Sequence, residues 1–294
     1  MNVLYSPRYL VDIGLHVFPT RKYQLVHARL LEEGVIAQRD VIESQAAAWD
    51  DLALVHTREY LAKIRDGTLS PDDLAQLELP WSPDMVEGFR VMVGGTIEAA
   101  RLAVCHRAVV GHIGGGLHHA FPNHGEGFCP FNDVAVAIRV LQHDGVQRAA
   151  VIDLDVHHGN GTAFIFESDA AVFTFSMHQQ YNYPMWKPRG SLDVGLMDGT
   201  GDADYQRQLE DALPAVMASN PQCLFYLAGA DPYEQDQLGG LALTLDGLRA
   251  RDRIVIEQAR RKGLPMVVVL AGGYARDIDD TIAVHVATMK EAAA

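Results

Sequence analysis

The chain has 294 residues, 48% of them hydrophobic, enough to bury the core of one large α/β domain or two modest ones. Its 38 acidic residues against 24 basic ones leave a net charge of −14, which argues against a nucleic-acid partner and suits solubility or a cationic ligand. Three scattered cysteines exclude a disulfide framework, and the lack of a leader or a membrane-length apolar run points to the cytoplasm, with no membrane partner.

In chain order, "RKYQLVHARLLEEG" predicts a helix closed by Gly34, and "HTREYLAKIRDG" a second closed by Gly67. Ser82 is placed to cap, and Pro83 to open, an amphipathic helix that runs to about Arg107. From there strand, loop and helix alternate. "RAVVGHI" leads into a glycine-rich loop, and "FNDVAVAIRVLQHDG" is helical with Asn132 as its cap. "AAVIDLD", "AVFTFSM", "CLFYLAGA" and "PMVVVLAGG" are short, β-branched and apolar, as fully buried parallel strands are. "DADYQRQLEDALPAVMAS" and "DGLRARDRIVIEQARRKG" supply helices between the later strands. The alternation implies a mostly parallel sheet with helices on both faces, in a single domain spanning residues 1–294.

Polar residues gather where these runs end. Asp155 and His157 end one strand, Ser176 and His178 the next; Asp231 follows the third, and Gly272, Gly273 and Tyr274 the fourth. Ligand crevices of open parallel sheets lie beyond the carboxyl ends of the strands. Residues two apart in an extended segment share a face, so Asp155 and His157 can converge on one ion, with Asp153 one step deeper. Alone, "DLDVHH" reads equally well as a solvated loop. Asp231 at an equivalent exit supplies the third ligand of a catalytic site that keeps a position for water. Three nitrogen and oxygen donors suit Zn²⁺ and also tolerate Fe²⁺.

Tandem His118 and His119 follow three glycines, and Asp153 and Asn160 are spare polar groups able to orient them. Two histidines with different partners can divide base and acid duties. Tyr274 can donate its phenol to a developing oxyanion, or simply pack in the core. Phe128 in "GEGFCPF" either walls a channel or packs beneath the loop.

Taken in order, "GGGLHHAFP", "GEGFCPFNDVAVA", "DLDVHHGNGT", "FSMHQ", "GTGDADY", "GADPYEQDQLGG" and "LAGGYA" resemble the motifs of histone-deacetylase-like amidohydrolases. "HVFPTRKYQLVHARLLEEG" and "VHTREYLAKI" resemble the amino-terminal region of the bacterial, class IV-like branch, so the likeness covers nearly the whole chain. It implies a three-layer α/β/α arginase–deacetylase fold. It also implies zinc-dependent hydrolysis of acetyl or other acyl groups from acyl-lysine or a related acylated amine. Under the resemblance, Asp155, His157 and Asp231 match the family's metal ligands, His118 and His119 its acid–base pair, and Tyr274 its carbonyl-polarising tyrosine. Asp153 matches the partner of His118, and Asn160 that of His119. Gly127 and Phe128 fall where the family lines its acyl channel. The opposite wall comes from "QQYNYPMW", through Tyr181, Tyr183 or Trp186. Asp153 and Ser176 match a monovalent-cation site, usually potassium.

Two positions depart from the pattern. Leu117 stands where many relatives carry a polar residue, and Asn160 where the better-known members carry aspartate. An amide orients His119 without adding charge, so His119 is expected to be less basic than with an acid partner. A two-metal, arginase-like hydrolase is disfavoured, because Gly159 and Tyr233 stand where its further carboxylates belong. A deacetylase of a small metabolite such as an acetylpolyamine, and a non-catalytic acyl-amine binder, are the competing expectations. The oligomeric state is not legible.

Overall fold

The computed structural model describes residues 1–294. Its strands are β1 (Val3–Tyr5), β2 (Val41–Glu43), β3 (Val109–His112), β4 (Ala149–Asp153), β5 (Val172–Gln179), β6 (Leu192–Leu196), β7 (Cys223–Leu227) and β8 (Met266–Val269). Its helices are α1 (Lys22–Glu32), α2 (Trp49–Leu52), α3 (Arg58–Asp66), α4 (Pro71–Leu77), α5 (Pro83–His106), α6 (Asp133–His143), α7 (Asn160–Phe166), α8 (Asp202–Ala218), α9 (Leu245–Lys262) and α10 (Ile278–Ala293). The strands form one sheet in the order β2-β1-β3-β8-β7-β4-β5-β6, and every neighbouring pair is parallel. The expected "mostly parallel" sheet is therefore wholly parallel, and three strands wider than its apolar runs predict.

The interior strands carry apolar side chains on both faces because both faces are covered. In β4, Val151 packs into the core shared with α5 and α6, while its neighbour Ile152 packs into the core shared with α8 and α9. Phe225 and Tyr226 divide the same way in β7. Each such side chain contributes about 1.5–3 kcal/mol by leaving water. Along these strands nearly every position is committed to a core, so charged groups are pushed to the strand exits.

The caps agree with the sequence. Ser82 Oγ accepts from Met85 N at 3.0 Å at the start of α5, and Asn132 Oδ1 accepts from Ala135 N at 2.9 Å at the start of α6. Gly67 and Gly263 end α3 and α9 at φ of 69° and 62°, a left-handed conformation that costs glycine little. No helix is long and apolar enough to cross a membrane.

The strand order decides where function sits. β3 and β4 follow one another in sequence but are separated by β8 and β7. The loops leaving β3, β8, β7 and β4 therefore meet side by side at the carboxyl edge, where the sheet order switches.

Candidate active site

The exit of β4 bends sooner than expected. The strand stops at Asp153, so Asp155 and His157 lie beyond it, and strand parity is not what aligns them. Two successive side-chain turns do so instead. Asp153 Oδ1 accepts from Asp155 N at 3.2 Å, and Asp155 Oδ1 accepts from His157 N at 3.0 Å. Asp231 arrives from the β7 exit, where its Oδ1 accepts from Val156 N at 2.9 Å.

Asp155, His157 and Asp231 each turn one donor atom to a common point, all within 4.8 Å of one another, and all three are buried. No other group of three such donors exists in the chain. Asp231 Oδ2 has no hydrogen-bond partner although it is buried, an expensive condition for a carboxylate oxygen. Burial, and then the charge of Asp155, push the Asp231 carboxyl up to about 7. Burial opposes the charge on His157 as well, but the carboxylates of Asp155 and Asp231, 3.1 Å and 3.4 Å from its Nδ1, outweigh it and push the imidazole up to about 10. Both shifts express a demand for positive charge between two buried carboxylates. One imidazole nitrogen and two carboxylate oxygens with a free lone pair fit a divalent ion of zinc's preferences. Glycine at 272 permits the arrangement, because a Cβ there would collide with Asp231 Oδ2 and Asp155 Oδ2.

His118 and His119 sit beside this cluster on the β3 exit. Gly115 and Gly116 have φ of 73° and 82°, and a Cβ on Gly116 would lie 2.5 Å from Ala271 Cβ. Asp133 at the start of α6 holds the loop by accepting from Leu117 N at 2.7 Å and Gly116 N at 3.1 Å. Leu117 itself joins the hydrophobic core, so its departure from a polar residue leaves the loop's anchoring intact.

The partners of the two imidazoles fix their protons. His118 Nδ1 is 2.7 Å from Asp153 Oδ2, which only accepts, so Nδ1 carries hydrogen. Asn160 Nδ2 donates to Glu126 Oε1 at 2.6 Å, which turns Asn160 Oδ1 toward His119 Nδ1 at 2.7 Å. His119 Nδ1 is therefore the donor, and its Nε2 keeps a lone pair. That lone pair faces His118 Nε2 at 3.0 Å, so His118 donates from both nitrogens. The electrostatics agree. Burial opposes charge on His118, but Asp153 and Asp155 overcome it and push the imidazole up to about 9. Burial and the neighbouring His118 hold His119 well below the usual histidine range.

Above the cluster lies a cavity of about 200 Å³, walled by Phe128, Tyr183 and Tyr274 and reaching His119 and His157. Gly127 and Phe128 both have left-handed backbone, at φ of 53° and 65°, held by Gln76 O and Leu77 O. This turns the Phe128 ring onto Phe18, with centroids 6.1 Å apart. Of the three aromatics in "QQYNYPMW", Tyr183 lines the cavity, its ring 5.0 Å from His119. Tyr181 is 75% exposed, and Trp186 stacks on Phe121 instead. A smaller cavity of about 30 Å³ continues inward past His118, His119, Asp155 and Tyr274, room for a water molecule.

Tyr274 is set by its backbone. Its N–H donates to Asp236 Oδ2 at 2.7 Å, and its ring packs between Phe18 and Phe128. Burial and the nearby Asp155 and Asp231 raise the phenol well above its ordinary value, keeping it protonated. Gly159 and Tyr233 offer no carboxylate. Gly159 backs onto Asp153 Oδ2, and Tyr233 turns its hydroxyl to Asp280 at 3.2 Å. Ser176 is the register partner of Asp153 on β5, so the two residues expected near potassium are neighbours across the ladder.

Sequence reasoning missed several supports: Asp133, Glu126, Asp236, Glu78 on the cavity wall, and the buried Lys22, whose Nζ donates to Ala271 O at 2.7 Å. A second aspartate within "GADPYEQD" and an acid inside "GEGFCPF" were the available signals. Asp133 carried none beyond being a single charge in apolar surroundings, and Lys22, next to Arg21, reads as an ordinary helix-start cation.

A family model described as the histone deacetylase domain matches residues 16–289. An uncharacterized protein of Picosynechococcus sp. is 44% identical over 291 residues, covering 96% of this chain and 95% of its own length. Histone deacetylase 2 of Arabidopsis thaliana is 32% identical over 301 residues, covering 96% of this chain and 78% of its own. Among solved structures, the HDA15 HD domain superposes with a TM-score of 0.82 at 25% identity, over 99% of this chain and 90% of that one.

Proposed function

The chain belongs to the histone deacetylase family, and from that premise we propose that it hydrolyses the amide of acyl-lysine or a related acylated amine with a zinc ion held by Asp155, His157 and Asp231. One observation carries the proposal: the three donors, one with an unpaired buried oxygen, lie beside a histidine pair at the floor of a walled cavity. The same donor set also accepts Fe²⁺. Zinc, when bound there, supplies a Lewis acid that polarises the carbonyl and acidifies water.

The chain's own residues do the rest. His119 Nε2 gives up the hydrogen bond it accepts from His118 Nε2 and takes the proton of the attacking water on that lone pair. His118, charged and held by Asp153, keeps its neighbour's lone pair oriented and the site positive. The Tyr274 hydroxyl donates to the oxyanion as the carbonyl carbon becomes tetrahedral. The proton gained by His119 then passes to the leaving amine as the C–N bond breaks. Phe128 and Tyr183 flank the acyl-bearing chain and exclude water, with Gly127 allowing the close approach. Potassium belongs beside Asp153 and Ser176 in this scheme. A single catalytic domain in the cytoplasm, with neither nucleic acid nor membrane as partner, completes it.

Glu78 on the cavity wall and the net charge of −14 favour a cationic substrate, which keeps acetylpolyamines as a second reading. A deacylation screen of acetyl-lysine peptides, acetylpolyamines and longer acyl-lysines, with zinc and with a chelator, separates the two. Peptide turnover that the chelator abolishes is expected. Turnover of acetylpolyamines with peptides inert would replace the substrate class, and binding without turnover of any amide would make the protein a binder.

The Asn160–Glu126 contact also shapes the pH profile. If His119 is the base, the acid limb of kcat/KM follows its protonation in the free enzyme. A carboxylate at position 160 stabilises the imidazolium, so the base form survives only at higher pH and the limb moves up. Asn160→Asp alone sets the new acid against Glu126, and the two share a proton, which blunts the effect. Asn160→Asp combined with Glu126→Gln should therefore move the acid limb further than either single change. An unmoved limb in the folded, metal-loaded double variant would remove His119 from the role of base.

A further inference from the structure

Arg251 lies in the charged stretch "LRARDR" of α9, yet it is fully buried. A buried guanidinium has five N–H donors to satisfy and accepts nothing. Nε and Nη2 donate to Asp252 Oδ1 at 2.9 Å and 2.8 Å. Nη1 donates to Gly229 O at 2.6 Å and to Leu154 O at 3.3 Å. Asp252 is itself held, accepting from the Tyr226 hydroxyl on β7 and from the Thr288 hydroxyl on α10 at 2.6 Å.

The two carbonyls are informative by position. Leu154 stands between Asp153 and Asp155, and Gly229 stands two residues before Asp231. The ladder between β4 and β7 ends with Leu154 N donating to Leu227 O at 3.1 Å. Beyond that bond no backbone–backbone hydrogen bond joins the two exits, and the same guanidinium nitrogen reaches both. The backbone it holds packs directly on the cluster: a Cβ on Gly229 would lie 2.7 Å from Asp231 Oδ1 and 2.8 Å from Asp155 Oδ2.

We propose that Arg251, clamped by Asp252, is a positioning residue that sets the separation of the β4 and β7 exits. It thereby sets how well Asp155 and His157 on one exit and Asp231 on the other close around a metal ion. The proposal rests on the assignment of those three residues as ligands. Partners one step behind metal ligands typically change affinity by about 10–100-fold when removed, and an effect of that size is expected here.

The test measures Co²⁺ binding to the metal-free full-length protein, by chelator competition and by the visible absorption of the bound ion, in wild type, Arg251→Gln, Arg251→Lys and Asp231→Ala. Glutamine is shorter, has two N–H donors in place of five and cannot pair with Asp252 as an ion. Lysine keeps the charge but lacks the fork. Arg251→Gln should weaken Co²⁺ binding by about 10-fold or more and alter the visible bands, while Arg251→Lys recovers part of the loss. Should the glutamine variant fail to fold, the lysine variant carries the test, with weakened binding and altered bands still expected. A folded Arg251 variant that binds within about threefold of wild type with unchanged bands would overturn the proposal, since such loss is far below the outer-partner range. Asp231→Ala separates this failure from a deeper one: if it too binds normally, the ligand assignment is what has failed.

Discussion

Asp231→Ala should lose divalent-metal affinity by more than the roughly 10–100-fold that removal of an outer partner costs. Asp231 brings the third donor, from a strand exit that neither Asp155 nor His157 shares, and its Oδ2 is the buried oxygen without another partner. Without it, one imidazole nitrogen and one carboxylate remain, too few for a zinc site of the catalytic type. The fold should survive, because the substitution removes a carboxyl that burial, and then the charge of Asp155, push up to about 7. Chelator competition measures the affinity, and thermal unfolding of the metal-free protein serves as the control. A folded variant with metal affinity within a few-fold of wild type would show that the three donors do not act as a ligand set.

Tyr274→Phe is expected to lower kcat by about 10²–10³, equivalent to about 2.7–4 kcal/mol, the cost of one oxyanion donor elsewhere. KM should change little. The aromatic ring retains its packing against Phe18 and Phe128, and the backbone retains its bond to Asp236, so the substitution removes only the hydroxyl. An interaction made only as charge develops is lost from kcat and kcat/KM together. Steady-state kinetics on one acylated peptide decide the matter. A variant within a few-fold of wild type would make Tyr274 a packing residue.

The interior of the fold was legible because its strands are buried on both faces and read as unbroken apolar runs. β1 and β2 were not, since three residues are too few to display any period. β6, "LDVGL", carries an aspartate and a glycine and alternates in burial as an edge strand does. The site divides along a similar line. His118, His119, Asp155, His157, Asp231 and Tyr274 were found because acids and imidazoles directly behind apolar runs are conspicuous. Asp155 and His157 do lie together, but by two side-chain turns rather than by strand parity, as β4 ends two residues earlier. The supporting residues come from elsewhere in the chain, and their local patterns mislead. "RARDR" looks like a solvated helix face, while Arg251 and Asp252 are both fully buried. Glu126 reads as a loop acid, yet it receives four side-chain hydrogen bonds that overcome its burial and lower its pKa.

One titration tests the metal site most directly. Metal-free protein is supplied with increasing zinc while hydrolysis of an acetyl-lysine peptide is followed. The three buried donors and the missing carboxylates at Gly159 and Tyr233 predict a rate that starts at baseline, rises in proportion to zinc and levels off at one equivalent. Full activity without metal, or a plateau reached only at two equivalents, would contradict it.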